Sequence, residues 1–333
     1  MLNRREFILA GIGVGLGLTA CGSDDETDTP SGPATGASFP ARVKHKFGTT
    51  VVERAPERVG TYGGGDVDTL LALGVPPLLV PDIDPRWKAQ GGVAPWSRDR
   101  LKGAKPVVAS NQELQFERIA SVRPDLITAV EYDMKRADYD KLTDLAPTVP
   151  PPAGFAPYTV PWDTMAVQVG SGLGRKQEAE KLVEDARAQI AQAGKDNPQF
   201  AGSKVMLVDP DEDGGVYIFA PNDVRSRFLG DLGFEMPPEI EKLFGDQFYA
   251  QISAERLDLL DTADALVFVA TRKPQTKATT GSRIYKNLRN VRENRVVTID
   301  DPDLAIAMSY SSVLSIPFQL GEVVPPLRAA LEA

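Results

Sequence analysis

The chain has 333 residues, 46 acidic against 37 basic side chains, a formal net charge of −9 and a pI near 4.9. That balance argues against a nucleic-acid partner, because binding phosphate needs a basic face. A single cysteine excludes an internal disulfide, and a lone histidine between Lys44 and Lys46 counts against triad hydrolysis and against zinc catalysis at multi-histidine sites.

Arg4 and Arg5 form a positive start, and Ile8 to Leu18 is an apolar run too short to span a bilayer. Leu18-Thr19-Ala20-Cys21 follows. Residues 1–21 therefore read as an export signal. The Leu-Thr-Ala-Cys ending resembles a bacterial lipobox, which would make Cys21 a lipidated first residue. Arg4-Arg5-Glu6-Phe7-Ile8 resembles a twin-arginine signal. No later apolar run reaches spanning length. Residues 22–40, rich in Asp, Thr, Ser, Gly and Pro, read as a flexible tether between membrane and domain.

Val43 to Val52 alternates around Gly48-Thr49, a hairpin signal that leaves His45 exposed between Lys44 and Lys46. Arg58 to Tyr62 reads as a strand, Asp66 to Leu73 as a helix closed by Gly74, and Leu78 to Pro81 as the next strand. Strand, helix, strand in that order implies a parallel sheet. Residues 41–160 thus form one α/β lobe. A connecting helix is expected over 161–194, where Ala179, Leu182, Val183, Ala186, Ile190 and Ala193 keep helical spacing. Gly170, Gly172 and Gly174 interrupt an earlier helical piece over 163–169. Residues 195–333 repeat the alternation as a second lobe, with strands at 204–208, 216–219, 265–269 and 295–299 and a helix near 227–232.

The two lobes echo each other. Glu117-Arg118-Ile119 precedes Pro124-Asp125-Leu126-Ile127, and Glu255-Arg256-Leu257 precedes Ala263-Asp264-Ala265-Leu266. Each is a short helix led by Glu-Arg and followed by an Asp-led strand.

Phosphate and metal motifs fail on inspection. Gly63-Gly64-Gly65 joins a strand to a helix without the Gly-Lys-Ser/Thr ending of a P-loop, and points to a tight turn or to close approach of a bulky ligand. Asp209-Pro-Asp211-Glu-Asp213-Gly214 begins like a calcium loop, but its twelfth place is Ala220 where a bidentate glutamate belongs. An acidic turn between strands is the reading, and no metal site is expected. No Gly-x-Ser-x-Gly elbow occurs.

His45 to Thr49, Pro56-Glu-Arg-Val59, Leu70 to Gly74, Arg123 to Ile127, Leu145 to Thr148, Leu173-Gly-Arg175, Leu229 to Phe234, Ser253 to Leu257, and Asn290-Val291 through Arg295-Val-Val297 run in one order along the chain. This set resembles the extracytoplasmic substrate-binding proteins of ABC importers for ferric siderophores, haem and vitamin B12. The resemblance implies two α/β lobes with parallel-type sheets joined by a single long helix, and ligand held shallowly between lobes that close little. It also implies a lipid-anchored monomer with no enzymatic activity and no cofactor. The same resemblance implies docking of an ABC permease, with its ATPase, through one glutamate on each lobe; Glu117 and Glu255 stand at the matching places. The chain departs from the pattern at Asp66-Val67-Asp68, where many relatives have a glutamate, and over Met308 to Ser312.

In open α/β sheets ligands gather beyond the carboxyl ends of the strands. The turns there place Tyr62, Arg86, Trp87, Tyr132 and Arg272 as ligand candidates, with Trp162 near the hinge and Arg225 and Arg227 at a helix entry. Arginines between aromatic walls suit an anionic ferric complex. Haem is the alternative cargo, through tyrosine ligation by Tyr62, Tyr132, Tyr217 or Tyr310, and cobalamin the third. Outside this class stand an anchored hydrolase built on Asp66 and Glu131, and an envelope adaptor that binds no small ligand.

Overall fold

The computed structural model describes residues 37–245 and 247–333. The expectations for the signal, for lipidated Cys21 and for most of the tether lie outside them. The last tether residues do not stand free: Ser38 N donates to Gly174 O at 2.9 Å and the Phe39 ring covers Gly174.

β1 (Ala41–His45) and β2 (Gly48–Val52) pair antiparallel with His45 opposite Gly48, so the turn is Lys46-Phe47 and not Gly48-Thr49. Ala41, Val43 and His45 share the inward face, as strand alternation requires. His45 is therefore buried rather than exposed. Its Nε2 lies 3.0 Å from Thr50 Oγ1 and its ring 5.1 Å from that of Tyr139. Burial, helped by Arg136, lowers its pKa.

The first sheet contains β3 (Val59–Thr61), β4 (Leu79–Pro81), β5 (Val107–Ala109), β6 (Leu126–Thr128) and β7 (Thr148–Val149), all parallel in the order β5-β4-β3-β6-β7. Its strands are short and largely buried, which is how a sheet covered on both faces reads. α1 (Gly64–Ala72), α2 (Phe116–Ser121) and α3 (Arg136–Thr143) connect them.

The predicted span of the connecting helix contains two helices, α4 (Trp162–Gly172) and α5 (Lys176–Asp196). The chain reverses at Leu173-Gly174-Arg175, where Gly174 holds φ at +68°, a conformation that costs other residues far more than glycine. α4 packs on β1, β6, β7 and α1 and belongs to the first lobe. α5 is the single 21-residue link, burying Ala179, Val183, Ala186 and Ile190 against α4 on one side and α6 and α12 of the second lobe on the other.

The second sheet follows the order β10-β9-β8-β11-β12, from β8 (Val205–Pro210), β9 (Val216–Phe219), β10 (Tyr249–Ile252), β11 (Ala265–Val269) and β12 (Val296–Ile299). β8, β11 and β12 are parallel; the acidic turn after β8 makes a hairpin that sets β9 antiparallel to β8, and β10 pairs antiparallel with β9. The remaining helices are α6 (Val224–Asp231), α7 (Pro238–Glu241), α8 (Lys273–Gly281), α9 (Arg283–Asn287), α10 (Arg289–Arg292), α11 (Pro302–Ser309) and α12 (Ser315–Glu332). One apolar cluster runs from Val59, Leu70 and Leu126 of the first lobe through Met165, Ala179 and Val183 to Val205, Val267 and Val297 of the second.

The sequence echo has a structural meaning. Asp125 N donates to Arg58 O at 2.9 Å while its carboxylate accepts from Arg58 N at 2.8 Å. Asp264 N donates to Lys204 O at 2.7 Å while its carboxylate accepts from Lys204 N at 2.8 Å. Each aspartate thereby sets the register of one parallel pair, β3 with β6 and β8 with β11.

Candidate functional site

The carboxyl ends of both sheets border a cleft. On the first-lobe side the turn after β3 enters α1, and Asp66 in its first turn is fully buried. The Asp66 carboxylate accepts from Val130 N at 2.8 Å and Glu131 N at 3.2 Å, while Glu131 Oε2 accepts from Gly65 N at 2.5 Å. Loop and helix start therefore hold each other. Burial pushes Asp66 up to about 6 against these hydrogen bonds. Burial, opposed by the Gly65 N–H and reinforced by Asp66 and Asp68, pushes Glu131 up to about 8. A side chain at Gly65 would collide with Met165 and Glu131, so the glycine run serves this tight turn.

Asp68, two residues further along α1, accepts from Trp96 Nε1 at 2.7 Å and from Ser312 Oγ at 2.5 Å. Ser312 follows α11, so this buried carboxylate ties the second lobe's last segment to α1. Trp96 also stacks on Phe318 of α12, with centroids 5.3 Å apart, and meets Trp87 edge-on at 5.7 Å. Trp87 Nε1 donates to Asp303 Oδ1 at 3.0 Å, and Arg86 Nη2 reaches the same oxygen at 2.7 Å while also pairing with Asp84.

The second-lobe wall encloses a cavity of 330 Å³ between the ends of β8 and β11, α6 and α11. Arg272 Nη2 crosses it to Asp209 Oδ1 at 2.7 Å and Pro210 O at 2.6 Å. Arg225 forks onto Asp223 at 2.7 and 2.8 Å, with its guanidinium 3.5 Å from the centroid of Phe219. On the first-lobe side a 540 Å³ cavity opens at the ends of β4 and β5, lined by Asp82, Lys88, Ser110, Gln115 and Arg118. Ile83 borders this cavity and a 20 Å³ void beside Trp87 and Trp96. Ile306 and Tyr310 border that void and the second-lobe cavity. The lining is thus continuous from lobe to lobe.

Of the residues expected from sequence, Arg225 and Arg272 share the second-lobe cavity, and Arg86 and Trp87 stand where the lobes meet. Tyr62 is core: it is 2% exposed and its hydroxyl accepts from Gln115 N at 3.0 Å. Tyr132 is half-buried beside it, ring centroids 6.0 Å apart, its phenol pushed up to about 12 chiefly by burial. Trp162 is buried in the core at the start of α4. Arg227 does not line the cavity. Two residues along α6 from Arg225 it points elsewhere, donating to Asn222 O at 3.1 Å and lowering the raised pKa of Asp231. Tyr217 packs against Tyr249. Glu117 and Glu255 are exposed, one on each lobe.

Sequence reasoning passed over Ile306 and Ser309, and over Ser110, Gln115 and Arg118. The rule of looking beyond strand ends would have found both groups had it been applied to β12 and to the unread strand β5. Among the described residues no group of three or more His, Cys, Asp or Glu side chains is placed to hold a metal ion, and no helix is long and apolar enough to cross a membrane.

Two α/β lobes joined by one helix, with cavities at facing strand ends, make the architecture of a two-lobed binding protein. The model of the periplasmic binding protein family matches residues 59–302, and the chain belongs to that family. A Bacillus subtilis (strain 168) protein named as an ABC transporter substrate-binding lipoprotein, YhfQ, is 25% identical over 311 residues, covering 90% of this chain and 93% of its own. A periplasmic solute binding protein from Mycobacterium smegmatis is 30% identical with a TM-score of 0.78, covering 89% of this chain and 99% of its own. PiaA from Streptococcus pneumoniae in complex with ferrichrome is 27% identical with a TM-score of 0.74, covering 88% and 99%. The family and the two-lobed fold expected from sequence are those observed.

Proposed function

We propose that this protein captures a ferric siderophore outside the membrane, in the cleft between its lobes, and delivers it to an ABC permease driven by its ATPase. The observation that carries this reading is the continuous lining from Arg118 and Ile83 on one lobe through Tyr310 to Arg225 and Arg272 on the other. A chelate seated there touches both lobes without any covalent step. Arg225, Arg272, Arg86 and Trp87 are the contacts drawn from the sequence that the cleft supports. Tyr62, Trp162 and Arg227 act at most from behind it.

Glu117 and Glu255 are the permease contacts in this reading. They are exposed, and each precedes the strand of its lobe that the bracing aspartate leads into. Cys21, acylated, holds the monomer at the outer face of the cell membrane.

Titration of the purified protein with hydroxamate, catecholate and carboxylate ferric siderophores, haem and cobalamin, read by tryptophan emission, tests the proposal. Trp87 and Trp96 border the void between the cavities and report occupancy, whereas Trp162 gives a constant background from the core. Saturable quenching by one siderophore class is the expected result. Flat titrations throughout overturn it in favour of an adaptor. Haem binding with a Soret band would redirect it, although burial pushes Tyr132 and Tyr310 up to about 12 and so disfavours the phenolate that iron would need.

A further inference from the structure

We infer that the cleft is built for an electroneutral ferric chelate, the trihydroxamate class, and against a multiply anionic one. The inference rests on the siderophore reading above and narrows it.

Cations at the cleft come already matched. Arg272 holds Asp209, Arg225 holds Asp223, and Arg86 holds both Asp84 and Asp303. Lys88 stands 3.9 Å from Asp82. Among the described residues only Arg118, of the cations lining these cavities, has no carboxylate within ion-pair distance. It lies exposed at the rim, with Nη1 donating to Val108 O at 2.7 Å. Behind the cations lie the buried Asp66 and Asp68, on the cleft side of the first lobe, beside Glu131, which keeps its proton and adds no positive charge. The wall therefore offers hydrogen-bond donors without a net positive field.

That distinction selects among ferric chelates. Three hydroxamates carry one negative charge each and cancel Fe(III), whereas three catecholates carry two each and leave a trianion. A trianion would have to draw Arg272 or Arg225 away from its carboxylate, or bring its own charge against Asp209 and Asp223 at short range. A neutral chelate needs neither. Each guanidinium keeps N–H groups beyond those its carboxylate takes, and these suit hydroxamate oxygens. Phe219 beneath Arg225 and Tyr310 beside it add flat apolar surface.

The test is a competition series on the purified protein with ferrichrome as the neutral probe, and ferric enterobactin and ferric dicitrate as anionic ones. Tryptophan emission is read at about 0.05 M and about 0.5 M salt. Ferrichrome should bind at least about tenfold tighter than either anionic probe, and its affinity should change less than about twofold with salt. In Asp209→Asn, and separately in Asp223→Asn, the ratio of enterobactin to ferrichrome affinity should rise about tenfold, as one guanidinium becomes free. Asparagine keeps the cap that Asp223 gives α6, so folding is preserved. A smaller margin for ferrichrome, tighter binding of an anionic probe with loss at high salt, or an unmoved ratio in both variants overturns the charge inference alone. Saturation by none of the probes overturns the siderophore reading, and this inference with it.

Discussion

Arg86 and Asp303 join the two lobes through a 2.7 Å contact from Nη2 to Oδ1, and Trp87 donates its indole N–H to the same oxygen at 3.0 Å. Residues 217 positions apart thus close one side of the cleft. In Asp303→Ala the indole loses its acceptor, and the emission of Trp87 should shift to the red. The partly exposed pair should cost about 1 kcal/mol of stability, read from the urea midpoint. An unmoved emission maximum would mean that Trp87 keeps its environment without the aspartate.

Asp68 is the more expensive contact to lose. It is 5% exposed and is the acceptor for both Trp96 and Ser312. Asp68→Ala leaves two donors unpaired and should lower stability by about 2–4 kcal/mol, whereas Asp68→Asn keeps one acceptor and should lose about half of that. Thermal melts of the two variants decide whether the buried carboxylate or mere volume matters.

Glu131 makes stability depend on pH. Its carboxyl titrates near 8 in the folded protein against 4.5 in the unfolded chain, so the folded state retains a proton that the unfolded state releases. The stabilising contribution is complete below pH 4.5 and is lost as pH rises through 8. Asp66 acts with the same sign between 3.8 and about 6. Glu131→Gln should match the parent near pH 5 and exceed it by about 1–3 kcal/mol near pH 8. Urea unfolding at both pH values checks the sign, and equal pH slopes would contradict it.

Much of this was legible in the sequence, and what was not has identifiable causes. Buried parallel strands read well because nearly every residue in them is apolar. His45 was misplaced by its lysine neighbours, although the period of two that puts Arg42 and Lys44 outward puts His45 inward. Tyr62 and Trp162 sit at strand and helix ends, as a cleft residue does, but local sequence does not tell which side of the end a ring turns to. Arg225 and Arg227 looked equivalent, yet two residues on a helix separate them by about 200° and only one faces the cavity. The pairing of Arg272 and Arg86 with carboxylates was the least visible feature, since Asp209 and Asp303 are distant from them in sequence.

Charge reversal at the docking glutamates separates capture from delivery. Glu117→Arg and Glu255→Arg should each reduce iron uptake in cells by about tenfold or more while siderophore affinity of the purified protein stays within about twofold. Loss of affinity in either variant would place that glutamate in the binding machinery.

The bracing aspartates offer a matched pair. Asp125→Ala and Asp264→Ala should each cost about 1–2 kcal/mol, and the double variant should cost their sum because the sites lie in different lobes. Denaturant titration gives all three values.

The apolar cluster that runs unbroken from Val59 through Met165 and Ala179 to Val267 bears on how the molecule comes apart. A protein with two sheets invites two melting steps, one for each. Here the layer between the sheets is common property, so opening either lobe strips α5 of its packing on one side and removes the support of the other lobe. Heating should therefore produce one calorimetric peak whose van't Hoff and calorimetric enthalpies agree, the behaviour of a single cooperative unit.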